Sequence, residues 1–122
     1  MNYLPKRRRP ARMGLREPSK IICSGHIQWV RGHECLLAGK NDPKHPCVGK
    51  VQAHHSTTRG AGGGDETVVP LCVGHHAQLE SPGWSQRRME QVYGLNMQAV
   101  ADALWESSPH GKKYRANRQA EE

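Results

Sequence analysis

The sequence predicts a small α+β fold: two short strands, a helix closing on them, and further short helices at the flanks. Three observations carry that expectation. Two histidine doublets, His54-His55 in VQAHHST and His75-His76 in VVPLCVGHHAQLE, flank a glycine-rich segment from Arg59 to Asp65. The first doublet lies on an alternating stretch, and the second opens a helix directly after a second apolar stretch. Finally, the chain has 122 residues, of which only 35% are hydrophobic and none is Phe, so its core is thin and a structural metal would strengthen it.

The elements follow in order. Residues 1–18 read as a basic flexible arm broken by Pro5, Pro10 and Pro18 and carrying Lys6, Arg7, Arg8, Arg9, Arg12 and Arg16. Residues 19–107 form the single domain that the length predicts. Ser24 to Arg31 suits a short helix capped by Ser24, with Ile27, Trp29 and Val30 as its apolar content and Gly32 as its stop. Cys35 to Cys47 holds Gly39, Asn41, Asp42, Pro43 and Pro46 and reads as a turn-rich loop. The core spans about residues 50–81. Lys50 to Ser56 alternates as a strand, Thr57 to Glu66 is loop, and Thr67 to Leu71 is a second strand in which Pro70 indicates an edge or an end. Gly74 to Glu80 is the helix carrying the second doublet.

C-terminal helices are expected over about residues 82–107. Ser81-Pro82 offers a helix start, and Gly94 a stop. Asn96 caps a last helix with Met97, Val100, Ala101, Leu104 and Trp105 on one stripe, which reads as packing rather than as a cofactor site. Residues 108–122, with Lys112, Lys113, Arg115 and Arg118, show no apolar periodicity and read as a flexible tail.

Charge narrows the partners. The formal net charge is +7 and the pI about 9.6, which favours a polyanion, most simply nucleic acid. No stretch has the length of a membrane span, and the first segment lacks the apolar run of a secretory signal. The four cysteines, Cys23, Cys35, Cys47 and Cys72, lie among histidines in a chain without export features, so metal ligation is favoured over disulfides.

Two kinds of metal chemistry are written in the doublets. Residues on a strand alternate in face, so one of His54 and His55 can ligate an ion while the other reaches toward substrate. His76 and Glu80 lie four apart and share a helix face. A strand histidine with His76 and Glu80 makes a nitrogen and oxygen site with open positions, suited to a divalent ion that also holds phosphate and water. The remaining imidazole is then free to act as a general base. Separately, Cys72-x-x-His75 has the spacing of half a zinc knuckle, and Cys35 and Cys47 are available as its other ligands. Cys23-x-x-His26 is a competing pair, with His33 and His45 in reserve. Gly60, Gly62, Gly63 and Gly64 read as a connector rather than a phosphate cradle, since no helix start follows directly.

Taken together, AHH, the glycine-rich loop and DETVVPLCVGHHAQLE resemble the HNH endonucleases of the ββα-metal (His-Me finger) fold, and within them a small phage and prophage branch. HIQWVRGHEC is similar to the lead-in of that branch. The likeness covers roughly His26 to Glu80. It implies that His54 is the first metal ligand, His55 the general base and His76 the helix ligand of the catalytic ion. Glu80 stands where a third ligand, often histidine, is common. The middle asparagine is replaced by Thr67, whose hydroxyl can brace the loop in part, with Asp65 as a nearby helper. The usual C-x-x-C before the first strand is interrupted by Ala38, so Cys47 would complete a structural zinc site with Cys35, Cys72 and His75.

The expectation is therefore a metal-dependent endonuclease that nicks or cuts double-stranded DNA, using Mg²⁺ or Mn²⁺ with structural Zn²⁺. It would act as monomer or dimer in the cytoplasm of a bacterial host and be phage- or prophage-encoded. Arg59, Arg7, Arg8 and Arg9 are the expected DNA contacts. The alternative is a zinc-stabilised DNA-binding module, or an accessory protein for phage packaging or recombination, with a weakened catalytic site.

Overall fold

The computed structural model describes residues 20–40, 42–57 and 63–121. Arg7, Arg8, Arg9 and Arg59, the expected DNA contacts, lie outside the described residues, as does the whole N-terminal arm.

Strands β1 (Val51–His55) and β2 (Val68–Cys72) pair antiparallel, with His54 opposite Val69 and His55 opposite Val68. The register is continuous, so the alternation of faces expected along VQAHH is kept. Every residue of β2 is buried, Pro70 included. Pro70 pairs with Ala53, and its carbonyl accepts the N–H of Leu36 at 2.8 Å. A proline is tolerated here because the sheet has two strands and this position needs no second ladder donor.

Helix α1 (Ser24–Arg31) precedes the sheet, and α2 (Val73–Leu79) follows β2 without a linker. Cys72 ends β2 and caps α2 at once, its sulfur accepting the N–H of His75. α3 (Gln86–Tyr93) and α4 (Met97–Ser107) complete the expected helices. Between them Gly94 adopts a left-handed φ of 68°, which only glycine takes readily, and this stops α3 where the sequence indicated. Asn96 caps α4 through its side chain, which accepts the N–H of Ala99. The core joins Leu37, Val69, Leu71, Leu79, Met89, Tyr93, Met97 and Ala101, so it gathers the sheet, α2, α3 and α4 under the turn-rich loop.

Three expectations need correction. α1 is capped by the backbone at Cys23 and not by the Ser24 side chain, since no side-chain capping bond is made. The second helix start lies at Ser85, whose oxygen accepts the N–H of Arg88 at 3.1 Å; Ser81-Pro82 instead forms a turn. The largest correction is at the C-terminus, where residues 109–121, read as flexible tail, form helix α5 (Pro109–Glu121). Ser108 accepts the N–H of Gly111 at 3.2 Å, with Pro109 in the first helical position. The Arg115 guanidinium lies 5.5 Å from the Trp105 ring centroid and donates to the Trp105 carbonyl at 3.2 Å. Tyr114 packs edge-on against the same indole at 5.8 Å. The helix thus docks through a cation, a tyrosine and a buried Gly111, none of which registers as an apolar stripe.

Candidate active site and metal cluster

Because α2 follows β2 directly, the fold fixes where Cys72, His75 and His76 face. The loop before β1 brings Cys35 and Cys47 to the same end. Cys35, Cys47, Cys72 and His75 form a cluster that could hold a metal ion, their ligand atoms all lying within 4.8 Å of one another. His75 Nδ1 lies 3.4 Å from Cys35 Sγ, 3.7 Å from Cys47 Sγ and 3.2 Å from Cys72 Sγ. A tetrahedral ion bound by sulfur at about 2.3 Å and nitrogen at about 2.0 Å separates those atoms by roughly 3.6 Å. The donor set and its spacing therefore fit one four-coordinate ion.

The surroundings match the charge such a site carries. Backbone N–H groups of Leu37, Val48 and His75 each meet a cysteine sulfur at 3.4 Å. His75 Nε2–H donates to the carbonyl of His45 at 2.8 Å, which orients the ring and leaves Nδ1 as the ligand atom. The loop carrying His45 is anchored in turn. His45 Nδ1 donates to Asp42 at 3.1 Å, Tyr93 of α3 donates to the same carboxylate at 2.7 Å, and Gln78 of α2 donates to Tyr93 at 3.2 Å. The Tyr93 hydroxyl, then His45, hold the Asp42 carboxyl down at about 2.

The Cys47 and Cys72 thiols are shifted in opposite directions. Desolvation, then hydrogen bonding and repulsion from Cys35 and Cys72, push Cys47 up to about 12, although the residue has an exposed edge. Burial also opposes ionisation of Cys72, but the N–H donors of His75 and Val48 and the neighbouring thiols outweigh it and shift that thiol down.

The competing pair does not join the cluster. Cys23 meets the His110 carbonyl at 3.9 Å, and His26 is fully buried beside Trp29 and Trp105, at ring distances of 5.8 and 4.9 Å. Neither His26 ring nitrogen has a hydrogen-bond partner, and burial drives its pKa down to about 4. His33 donates to the Trp29 carbonyl at 2.9 Å and so closes its own helix.

One residue on, the second doublet faces a different site. His76 lies edge-on to His54, ring centroids 5.2 Å apart. His54 Nε2–H donates to Gln86 Oε1 of α3 at 2.9 Å, and His76 Nδ1–H donates to Gln52 Oε1 of β1 at 2.6 Å. Those bonds fix both tautomers and leave His54 Nδ1 and His76 Nε2 with their lone pairs. His54 is held below the ordinary histidine value, by desolvation first and then by repulsion from His76 and His55, against the opposing pull of Gln86 and Glu80. A neutral imidazole, which the lowered His54 favours, is what a divalent ion needs of its ligand. Glu80 is exposed at the C-cap of α2, and among the described residues no close three-ligand group includes it. Its charge reaches His54 from a distance.

His55 separates from His54 as a strand neighbour should. Its Nε2–H donates to Asp65 Oδ1 at 3.1 Å. Thr67 braces the loop through its side chain. Its hydroxyl donates to the Gly64 carbonyl at 2.8 Å and reaches the Thr57 carbonyl at 3.5 Å, tying together the two ends of the glycine-rich segment. Ser56 closes on the Thr67 carbonyl through its N–H at 2.9 Å and its hydroxyl at 2.6 Å.

The sequence reading missed Gln52, Gln86 and the Arg31–Lys50 groove. Gln52 shares the His54 face of β1 at a spacing of two, which was a usable signal. Gln86 arrives from α3, and only the tertiary fold reveals it. Arg31, Lys50, Val51, Gln52 and Val73 line an open groove of about 490 Å³, and Gln52 is also the partner of His76. Among the described residues no helix is long and apolar enough to cross a membrane. No protein-family model, curated protein or solved structure matches the chain.

Proposed function

We propose that the chain is a metal-dependent DNA endonuclease of the HNH type, with the Cys35, Cys47, Cys72 and His75 cluster holding a structural zinc ion. The carrying observation is the apposition of His54 and His76 on adjoining strand and helix, each with one ring nitrogen held by a carboxamide and the other left as a donor. Three-sulfur, one-nitrogen sites favour zinc, and a site closed by four protein ligands plays a structural part. A two-imidazole site is open, as a catalytic one must be.

In this reading His54 and His76 hold the catalytic divalent ion, with Glu80 near enough to add negative charge. That ion supplies charge neutralisation at the leaving oxygen. His55 accepts the proton of the attacking water, and the phosphodiester opens to a 3′-hydroxyl and a 5′-phosphate. Arg31 and Lys50 in the groove engage backbone phosphates beside the reacting one. Imidazole ligands suit Mn²⁺ better than Mg²⁺.

The test is conversion of supercoiled plasmid to nicked or linear forms with Mn²⁺. The parent protein should cut, and His55→Ala should lose on the order of 10²–10⁴-fold in rate, the usual range of a general base. Binding without cleavage under any divalent ion would favour the second reading, a zinc-stabilised DNA-binding module. Among the described residues no close third ligand joins His54 and His76, and that is the observation on that side.

A further inference from the structure

We propose that Asp65 is the positioning residue for His55, holding the imidazole as the Nε2–H tautomer so that Nδ1 is the proton acceptor. The link between the two side chains stands on geometry alone; its catalytic consequence rests on the nuclease reading above.

The Asp65 carboxylate is buried, with 6% exposure, and both of its oxygens are engaged. Oδ1 faces His55 Nε2 at 3.1 Å, and Oδ2 accepts the N–H of Cys23 at 2.8 Å. The Asp65 N–H donates to the Ile21 carbonyl at 2.9 Å, so backbone and side chain both grip the segment leading into α1. Gly64 lets that segment come close: a Cβ there would stand 2.7 Å from the Ile21 nitrogen. The backbone beside the partner ring is held too, because Ser56, the next residue, donates twice to the Thr67 carbonyl. A carboxylate anchored through one oxygen cannot turn away, and as an ionised group it can only accept. His55 must therefore donate from Nε2, which leaves the Nδ1 lone pair for water.

Asparagine at position 65 keeps the shape and reverses this logic. With its amide oxygen held by the Cys23 N–H, its NH₂ group would face Nε2, which must then accept. The ring moves to the Nδ1–H tautomer, and the atom needed as base is already protonated. A wrong tautomer of this kind costs a general base on the order of 10⁴-fold in a serine protease triad.

The experiment uses the full chain with ¹⁵N-labelled histidine, in the parent, Asp65→Asn, His55→Ala and the double variant. Ring nitrogen shifts of the parent should report Nε2–H for His55, a reading that needs no variant to fold. In D65N the His55 ring should switch to Nδ1–H, with plasmid cleavage in Mn²⁺ falling on the order of 10²–10⁴-fold. In the His55→Ala background the same substitution should change nothing more, since Asp65 acts through that ring. A parent His55 in the Nδ1–H form overturns the proposal, as does a D65N variant with unchanged tautomer or unchanged cleavage. An equal loss in both backgrounds also overturns it. If the parent cuts no DNA under any divalent ion, the nuclease reading falls separately, and the tautomer measurements still decide whether Asp65 sets the state of His55.

Discussion

The cysteine–histidine cluster and the His54–His76 pair are built on the same strand–helix junction and differ in how completely they are furnished. His75 and His76 are consecutive in α2, rotated by about 100° about its axis, so one helical step assigns each to its own site. The cluster draws four donors from one loop and the junction, carries three N–H bonds to sulfur, and fixes its histidine through a carbonyl. The pair has two donors, positioned by two glutamines. In the function proposed above, the closed site holds structure and the open one leaves room for substrate, so proximity in sequence need not imply shared duty.

Removing metal tests the closed half and should give the largest effect. Structural zinc in small peptides contributes apparent binding energies of about 10–16 kcal/mol, most of which is folding energy. A strong chelator, or Cys72→Ser, should therefore abolish cooperative thermal unfolding followed by circular dichroism. Cys47→Ser should be milder, because Cys47 is the exposed ligand. An unchanged melt after verified metal removal would break the distinction between the two sites.

The open half should respond in the opposite way. His76→Ala should leave the melting transition and the cluster metal nearly intact, while divalent-ion-dependent cleavage falls by at least about 10²-fold. Elemental analysis beside the cleavage assay checks both. A His76→Ala variant that loses cluster metal would mean that the sites are one.

Much of this was legible before the fold was known, and the reasons are local. β1, β2, α2 and α4 were visible because period-two and helical patterns, a glycine stop and an asparagine cap act over a few residues. The cluster was legible because Cys72-x-x-His75 sits on a strand–helix step, so only the distant Cys35 and Cys47 had to be supplied. Ser-Pro as a helix start was sound chemistry read at the wrong place. It operates at Ser108-Pro109, where Trp105 gives the helix something to pack on, and it yields a turn at Ser81-Pro82. α5 was missed because a cation on an indole face leaves no hydrophobic period. Gln86 and the Asp65–Cys23 bond were out of reach because they join residues 32 and 42 positions apart from their partners.

His26 serves as the control histidine, buried yet supplied with neither ligands nor hydrogen-bond partners. It should bind no metal, and its effect should appear with acid. Its folded pKa of about 4 lies below the ordinary histidine value of 6.5, so between those values the unfolded chain takes up the proton and the folded chain does not. Stability should fall as pH drops from 6.5 toward 4, by an amount on the order of a few kcal/mol in total. His26→Leu should remove that part of the slope, read as the difference between the two proteins' urea midpoints at each pH. Parallel curves for parent and variant would show that His26 is not the buried neutral group described above.

The smallest effect should come from Gln52, and it bears most directly on what separates the two sites. In the cluster a carbonyl holds His75 and leaves its other nitrogen for metal. Gln52 stands in the same relation to His76, but through a side chain that can be deleted. Loss of such a partner typically costs 10–100-fold in metal affinity. Gln52→Leu should therefore weaken Mn²⁺ binding, measured by calorimetry or by the Mn²⁺ dependence of cleavage, by about that factor. The melt should change little, since Gln52 is only partly buried on a strand whose ladder bonds come from the backbone. If affinity rises instead, the carboxamide competes with the ion rather than orienting its ligand, and the likeness between the His75 and His76 supports is one of geometry only.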